Sequence, residues 1–533
     1  MLTSSWLPIP RCGAVKTAAG TLRDVTVTGS NGQQAAGHTR IGILGAGFGG
    51  LGLAIRMKQA GIDDFVVWER DPEVGGTWWA NTYPGCQCDI PSHLYSFSFA
   101  PNPEWTRTYP LQPEIREYLR ECADRFAVRD HISFNCEVTA AEWDDAGNLW
   151  RLDTSQGPFT ADLLFAAPGF LSSPATPSLP GLESFEGATF HTARWNHDHD
   201  LTGRRVAVIG TGASAIQTVP NIQPLVEHLD VFQRTPPWVM PHRDRPITAV
   251  ERRVYRRFPG LQRLVRAAVY WSREMLVPGF VHNPRYLKFA EKVAGRHLAK
   301  AVSDPILRAR LTPNYSFGCK RVLPSNEWYP ALTKPNVDVV TGGIAEVVPN
   351  GIVTRDGVLH EVDTIVFATG FHVTDAPFAG IIRGREGELM SDMWAGSPQA
   401  YRGAAVAGFP NLFIVTGPNT GLGHNSLVFM IEAQLDYMMD ALRTMDARGA
   451  TRVEVRPEVQ ESYNADLQSR MGRTVWNSGG CSSWYLDVNG KNTTIYPDFT
   501  WRFRRDTQRF DVAAYELTTP AKAGSGAPEP VPA

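Results

Sequence analysis

The sequence has little that would place the protein in a membrane, in an oxidising compartment or on nucleic acid. Its 533 residues contain no uninterrupted apolar run of about 18 residues, the length that a membrane-spanning helix needs. The N-terminus lacks the apolar core of a signal peptide, and the seven cysteines are few and scattered, as in a reduced cytosolic protein. A net charge of -2 gives no reason to expect nucleic acid as a partner. We therefore expect a cytoplasmic protein with no stable membrane insertion, no nucleic-acid partner and no metal site.

A first glycine-rich turn follows a short apolar run at residues 41–44. Gly45 permits the tight turn, Gly47 lets the backbone approach a pyrophosphate, and Gly50 lets the following helix pack on the strand. Glu69 ends the next strand pattern, about 20 residues further on, where a carboxylate accepts hydrogen bonds from a ribose diol. This unit lies near the N-terminus, which favours FAD as its ligand.

A second unit of the same kind follows the apolar run at residues 206–209. Its turn is built from small residues that suit a pyrophosphate at a helix N-terminus: Gly210, Gly212, Ser214 and Ala215. The next strand pattern ends in Arg234 and Thr235 instead of an acid. A carboxylate would repel a 2′-phosphate, whereas a guanidinium forks onto it, so this unit predicts NADPH.

Apolar periodicity between and after these units predicts an α/β fold with two Rossmann-like dinucleotide-binding domains. A helix is expected over 112–126, strands of a small sheet over 132–140 and 149–154, and a buried strand over 163–167. Prolines mark a linker after residue 173, and a strand at 364–371 returns the chain to the first domain. The boundaries predicted are a flexible extension (1–37), an FAD-binding domain in two parts (38–175 and 367–515), an NADP-binding domain (176–366) and a disordered tail (516–533).

The NADP-binding domain is expected to carry a helical insertion at about 247–312, which is rich in arginine. One helical face gathers six of these arginines beside apolar residues: Arg252, Arg253, Arg256, Arg257, Arg263 and Arg266. A membrane-surface helix and a solvated helical face are both compatible with this pattern. The solvated face is favoured, because runs of charge usually face water.

Cys86 and Cys88 raise the question of a redox or metal site. Their one-residue spacing differs from the Cys-x-x-Cys of dithiol enzymes, and no second ligand pair lies nearby. We interpret them as inert packing residues.

Three further stretches resemble the flavin-dependent Baeyer–Villiger monooxygenases, and the resemblance covers residues 40–510. Phe185-x-Gly187-x-x-x-His191-x-x-x-Trp195 matches the fingerprint of that family, except that Asn196 stands where Pro or Asp is usual. The family's longer motif is matched by Gly75-Gly76-x-Trp78, Tyr83-Pro84-Gly85 and Asp89. Ala368-Thr369-Gly370 also fits, whereas Ala167-Pro168-Gly169 replaces a common Ala-Thr-Gly and leaves the local hinge geometry open.

The resemblance implies roles for individual residues. Asp89 and Arg321 correspond to the active-site acid and arginine, and Lys320 to a second ligand of the NADPH phosphate beside Arg234 and Thr235. Trp484 corresponds to a tryptophan that contacts the nicotinamide ribose. His191 and Trp195 belong to the linker that couples the domains and are not expected to touch substrate. Further cofactor contacts are implied for Gly76, Thr77, Trp78, Asp89, Tyr95, Val138 and Gln217.

The chemistry implied by the family is oxygen insertion beside a ketone carbonyl. NADPH reduces FAD, the reduced flavin reacts with dioxygen, and the resulting flavin peroxide attacks the carbonyl to give an ester or lactone. A permanent cation, here Arg321, stabilises the anionic peroxide in a water-poor site. The expected partners are a small ketone and dioxygen, and the chain is expected to be a monomer or a weak homo-oligomer.

Three alternatives are open on the sequence alone. An N- or S-oxygenating flavin monooxygenase needs no cation at the flavin, and Trp195 and Arg321 argue against it. A flavin disulfide reductase would need a closely spaced dithiol near the flavin motif. A redox-inactive nucleotide-binding protein is disfavoured by two intact nucleotide units. The ketone itself is not specified: Phe429 and Met430 would either line its pocket or pack the following helix, and the packing role is favoured.

Overall fold

The computed structural model describes residues 37–519. Most of the predicted N-terminal extension and the end of the predicted tail therefore lie outside the described residues. The boundary predicted at residue 37 differs by one residue from the start of the first strand at Gly37, and the predicted tail overlaps the last strand, Tyr515–Thr518. Gly37 and residues 515–518 are held by hydrogen bonds to neighbouring strands. Composition alone does not predict such pairing.

The described residues form strands and helices in alternation, numbered here in chain order. The strands are β1 (Gly37–Leu44), β2 (Phe65–Trp68), β3 (Ile132–Ser133), β4 (Val138–Asp144), β5 (Leu149–Thr154), β6 (Gly157–Ala166), β7 (Ala188–His191), β8 (Arg205–Ile209), β9 (His228–Phe232), β10 (Val239–Met240), β11 (Leu323–Pro324), β12 (Val337–Val340), β13 (Ile344–Val348), β14 (Gly351–Thr354), β15 (Leu359–Glu361), β16 (Thr364–Phe367), β17 (Ile382–Arg383), β18 (Leu412–Ile414), β19 (Arg452–Val455) and β20 (Tyr515–Thr518).

The α-helices are α1 (Phe48–Gln59), α2 (Thr77–Ala80), α3 (Gln112–Arg125), α4 (Ala213–Ile222), α5 (Ala249–Arg257), α6 (Pro259–Glu274), α7 (Lys288–Ala301), α8 (Pro305–Arg310), α9 (Trp328–Leu332), α10 (Met390–Trp394), α11 (Leu427–Arg448), α12 (Pro457–Met471), α13 (Val475–Ser478) and α14 (Thr500–Asp506). Short 3₁₀ turns and one π-helical turn, Pro278–His282, connect some of them.

The first sheet has the strand order β17-β4-β5-β6-β1-β2-β3, and β18 pairs with the last residues of β6. Strands β18, β6, β1, β2 and β3 are parallel, while β4, β5 and β6 are joined in antiparallel fashion. The small sheet predicted from residues 132–140 and 149–154 is therefore wrong. Residues 132–140 contribute to two strands, β3 and β4, and both strands belong with β5 to this larger sheet. Parallel pairing buries β1 and β6 on both faces, which explains their continuous apolar runs.

The second sheet has the order β12-β9-β8-β16-β7, and all of its pairs are parallel. Each of the two sheets has a glycine turn between a strand and a helix, β1 to α1 and β8 to α4. This arrangement is the predicted α/β fold with two Rossmann-like units.

Two linkers run side by side between the sheets. The Thr369 hydroxyl donates to the Ala175 carbonyl at 2.5 Å, and the Ala175 amide donates to the Gly370 carbonyl at 2.9 Å. After this crossing, β17 and β18 join the first sheet and α11 packs against α1. The domain boundaries near residues 175 and 366 stay a prediction.

Helices α5 to α8 occupy most of the predicted helical insertion, and a capping box between Thr248 and Glu251 begins the first of them. The predicted solvated arginine face is wrong for Arg266. Its guanidinium is turned inward and donates to the carbonyls of His93 at 2.9 Å, Leu94 at 3.2 Å and Ser96 at 3.0 Å. None of the helices between residues 37 and 519 has both the length and the apolar character required to cross a bilayer.

Cys319 and Cys481 form a disulfide, and their Cα atoms are 6.2 Å apart. The expectation of reduced cysteines is therefore wrong for this pair, which no sequence spacing could reveal across 162 residues. Cys86 and Cys88 are free and buried, and burial raises the pKa of Cys86 to about 12, as suits packing residues. Since the cysteines no longer argue for a reducing compartment, the cytoplasmic location stays a prediction.

The disulfide closes a long loop, so we expect it to stabilise the fold by on the order of 4 kcal/mol through the entropy of the unfolded chain. A dithiol reductant should lower the thermal unfolding midpoint of the unsubstituted protein. The double variant Cys319→Ser/Cys481→Ser should start at the lower midpoint and not respond to reductant. Peptide mapping without reduction checks the pairing, and a wild type that carries both thiols free would contradict it.

Candidate active site

The first glycine turn brings backbone into contacts that exclude side chains. Gly45 has φ 93° and a Cβ there would lie 2.8 Å from the Ala167 carbonyl oxygen. A Cβ at Gly50 would lie 1.9 Å from the Gly45 carbonyl oxygen, closer than any real contact. Gly47 immediately precedes α1, so the free amides of that helix point at the turn. The turn is thus a backbone cradle of the kind that holds a pyrophosphate.

Glu69 follows β2 and lies beside this turn. Its carboxylate accepts from the Ala46 amide at 2.6 Å and from the Asp71 amide at 2.9 Å. Burial raises the pKa of Glu69, and the two amide hydrogen bonds oppose that rise. A carboxylate held here is placed as a ribose diol requires.

The glycines of the longer motif pack against the first turn. Gly76 approaches Gly47 so closely that a Cβ on Gly76 would lie 3.1 Å from the Gly47 Cα. Thr77 and Trp78 then begin α2, and the Trp78 indole donates to the Tyr95 hydroxyl at 2.9 Å. The two aromatic rings meet edge to face, which gives the cavity a rigid wall beside the glycines.

The second glycine turn repeats this design between β8 and α4. Gly210 has φ 118°, and a Cβ there would lie 2.3 Å from the Ala368 carbonyl oxygen. Gly212 precedes α4, whose first turn contains Ser214 and the buried Ala215. Gln217, on the same helix, also joins the two units, because its amide donates to the Gln87 carbonyl at 2.9 Å.

Two cations lie together past the second turn. Arg234 and Thr235 follow β9, and burial together with the charge of Arg234 lowers the pKa of Lys320. The Lys320 ammonium lies 5.2 Å from the centre of the Tyr315 ring. Among residues 37–519, no carboxylate forms a salt bridge with Arg234 or Lys320. Neighbouring cations without a carboxylate fit an anionic ligand such as a phosphate.

Asp89 and Arg321 form a bidentate ion pair. Arg321 donates through Nε to Oδ2 at 2.6 Å and through Nη2 to Oδ1 at 2.8 Å, while its Nη1 donates to the Leu422 carbonyl at 3.0 Å. Burial opposes ionisation of Asp89, but the Arg321 charge and hydrogen bonds outweigh it and hold the pKa of Asp89 below its usual value. Burial likewise opposes the charge on Arg321, but Asp89 raises the pKa of Arg321. Both side chains are therefore charged at neutral pH.

A continuous cavity of 1520 Å³ connects these features, larger than one small ligand needs. Most of the predicted site residues line it: Gly45, Gly47, Glu69, Gly76, Thr77, Trp78, Asp89, Tyr95, Val138, Gly210, Gly212, Ser214, Gln217, Arg234, Thr235, Lys320, Arg321 and Trp484. Gly50 and Ala215 are outside the lining and pack beneath the turns. His191, at the end of β7, and Trp195, shortly after it, are also outside the lining. The His191 ring contacts Phe371, and the Trp195 ring contacts Phe190.

Several lining residues were missed by sequence reasoning. Both interdomain linkers line the cavity, and Phe170 from the first of them lies 6.4 Å, ring to ring, from Trp484. Leu427, Val428 and Ile431 line it as well, whereas Phe429 stacks on Tyr270 and packs the helix as favoured. The prolines of the first linker predicted only a connection between domains. Nothing in the linker sequence indicated that it would line the cavity. The disulfide-bonded Cys319 and Cys481 do not line the cavity.

Comparison with known proteins identifies the family. A family model described as pyridine nucleotide-disulphide oxidoreductase matches residues 42–270. A Baeyer-Villiger monooxygenase of Streptomyces coelicolor is 52% identical over 491 residues, which cover 92% of this chain and 95% of that protein. The chain belongs to the Baeyer–Villiger monooxygenases. The resemblance drawn from three short motifs is thereby confirmed.

Solved structures extend this result to the cofactors of this Baeyer–Villiger monooxygenase. Cyclohexanone monooxygenase from Rhodococcus sp. Phi1 bound to NADP+ is 32% identical, with a TM-score of 0.79, over 91% of this chain and 100% of that one. A complex of OTEMO with FAD and NADP is 28% identical, with a TM-score of 0.82 and the same coverage. The enzyme uses FAD and NADPH and inserts oxygen beside a ketone carbonyl, as predicted. The two glycine cradles and the unpaired cations fit these cofactors.

The Gly50 contact predicts a specific loss. In Gly50→Ala the new Cβ would displace the first turn, so the purified protein should carry much less FAD per chain. Gly295→Ala is the matched control, because a Cβ at Gly295 meets nothing within 4 Å. Flavin absorbance relative to protein absorbance measures both, and a fully yellow Gly50→Ala protein would contradict the cradle.

The cation cluster predicts the choice of cofactor. Arg234→Ala should raise KM for NADPH by about tenfold or more, since a charged hydrogen bond contributes roughly 1.5–3 kcal/mol, while KM for NADH changes little. Arg204→Ala, an exposed arginine on the same domain, serves as the control. Equal losses with NADPH and NADH would exclude a role for Arg234 at the 2′-phosphate.

Proposed function

We propose that Arg321, oriented by Asp89, is the group that stabilises negative charge on oxygen during oxidation of the ketone. The proposal rests on the bidentate ion pair between Arg321 and Asp89. This pair faces a cavity that both glycine turns also line. Family membership establishes the reaction, and the geometry supports this assignment of roles.

Arg321 has N–H groups left with which to bind a substrate oxygen. A guanidinium has five N–H donors, and three are used, two toward Asp89 and one toward the Leu422 carbonyl. Two N–H donors, one on each terminal nitrogen, remain for an oxygen in the cavity. When the carbonyl carbon of a ketone is attacked, its oxygen gains negative charge, and a fixed cation stabilises that charge without reorganisation.

Asp89 serves Arg321 as a positioning partner. Two parallel hydrogen bonds fix the plane of the guanidinium, so its remaining donors point in a set direction. Asp89 is ionised at neutral pH because its pKa is held below the usual value, and it therefore accepts both bonds there.

The cofactors supply the redox chemistry: FAD reduced by NADPH activates dioxygen. The side chains of the protein bind and position these cofactors. We propose that Arg234, Thr235 and Lys320 hold the 2′-phosphate of NADPH, and that Glu69 binds the ribose of FAD. Trp484 lies beside Phe170 in the cavity lining, and we propose that it would contact the nicotinamide ribose.

The cavity wall supports an apolar ketone as substrate. Leu427, Val428 and Ile431 offer aliphatic surface, and Arg321 offers the matching donor for a single carbonyl. The related cyclohexanone monooxygenase is named for a cyclic ketone, so cyclic ketones are the first class to assay. Product analysis with cyclic, linear and polycyclic ketones, and with one sulfide, tests the proposed class.

Replacing Arg321 should separate oxygen insertion from NADPH oxidation. Arg321→Ala should keep FAD, consume NADPH and release hydrogen peroxide, while ester formation falls by a hundredfold or more, because a lost oxyanion donor costs about 3 kcal/mol. Single-turnover mixing of reduced enzyme with oxygen and ketone, followed by product analysis, measures this split.

Two further variants control for loss of charge alone. Arg321→Lys keeps the charge but lacks the planar fork, so it should recover only part of the activity. Asp89→Asn should also lose ester formation while retaining the arginine. Ester formation by Arg321→Ala at the unsubstituted rate would contradict the proposed role.

A further inference from the structure

Helix α6 presents an apolar surface to the outside of the protein. Nine of its residues are exposed, and only Arg263 and Ser272 among them are polar; the others are Pro259, Gly260, Leu261, Leu264, Ala267, Ala268 and Trp271. Leu264 is 65% exposed and Trp271 is 55% exposed. The flanking residues Phe258 and Met275, at 57% and 79%, extend the stripe at both ends. Contiguous exposed apolar patches of this kind usually mark an interaction surface.

Three other polar residues of the same helix bond to groups inside the protein. Gln262 donates to the Asn102 carbonyl at 2.6 Å, and Arg266 donates to three carbonyls of residues 93–96. Glu274 accepts from the Asn425 side-chain amide at 2.7 Å and from the Thr500 hydroxyl at 2.7 Å. These buried bonds fix the rotation of α6 about its axis. The apolar stripe therefore cannot turn inward without breaking them.

The unpaired exposed charges of α5 and α6 are all positive, whereas Arg256 of α5 is paired with the exposed Glu104 at 3.0 Å. Arg253 and Arg257 are exposed on the last turns of α5, and Arg263 is exposed on α6. Within residues 37–519, none of these three arginines forms a salt bridge with a carboxylate. The acids of the two helices are occupied elsewhere: Glu251 pairs with Arg245, and Glu274 is buried. No carboxylate is among the exposed residues of α5 and α6.

We propose that this surface, formed by residues 253–275 and called here the docking face, binds peripherally to an anionic phospholipid surface. Apolar residues with a tryptophan, bordered by arginines, match the interfacial boundary between acyl chains and anionic headgroups. A second copy of the chain fits less well. A two-fold interface would bring the same face of each copy together, with unpaired arginines on both sides and no exposed carboxylate on α5 or α6 to pair them; the nearby Glu104 is already paired with Arg256.

Vesicle sedimentation of the FAD-loaded full chain tests the proposal. The bound fraction should be about tenfold higher on vesicles of phosphatidylglycerol mixed with phosphatidylcholine than on phosphatidylcholine alone, and should fall as salt is raised. The triple variant Leu264→Gln/Trp271→Gln/Met275→Gln should lose about tenfold or more of this binding. The triple variant Arg253→Gln/Arg257→Gln/Arg263→Gln should lose the preference for the anionic vesicles.

A matched control replaces exposed apolar residues elsewhere: Leu225→Gln/Ile306→Gln/Val358→Gln should bind vesicles as the unsubstituted protein does. Flavin content verifies that each variant is folded. Sedimentation velocity without lipid tests the second-copy alternative. The proposal is overturned if the unsubstituted protein stays in the supernatant, if the control variant loses as much binding, or if the protein is a dimer that the Leu264/Trp271/Met275 variant dissociates.

Discussion

The Asp89–Arg321 ion pair joins parts of the chain that are 232 residues apart. The same guanidinium bonds to the Leu422 carbonyl, so one side chain gathers three segments at the cavity. Such a pair contributes little net stability, because removing two charges from water offsets most of their attraction. Its consequence is geometric: Asp89 fixes the plane of Arg321, and that plane decides where the two remaining N–H donors point.

The surrounding fold brings two backbone cradles to the same cavity. Both turns depend on glycine because a side chain would meet a carbonyl oxygen, from Gly45 in the first unit and from Ala368 in the second. The Ala368 contact joins the second turn to the linker that returns to the first sheet. Gln217 adds a direct bond between the units. The disulfide at Cys319 holds the segment that carries Lys320 and Arg321 to the segment that precedes Trp484.

The sequence predicted those parts of the site that are formed by residues close together in the chain. Both glycine turns, the acid at Glu69 and the cation at Arg234 were predicted because strand, turn and helix follow one another closely in the chain. The Cys319–Cys481 bond was missed because pairing across a long loop leaves no local signal. Arg266 was placed on the outside because arginine is usually solvated. Its burial depends on carbonyl groups of residues 93–96, which only the tertiary structure brings to it.

The proposed contact between Arg321 and the substrate oxygen can be measured in a crystal structure with FAD, NADP+ and an unreactive ketone analogue. The measured quantity is the distance from the terminal nitrogens of Arg321 to the carbonyl oxygen of the analogue. We expect a hydrogen bond of about 3 Å, with both Asp89 bonds intact. An analogue seated beside the flavin with its carbonyl oxygen turned away from Arg321 would contradict it.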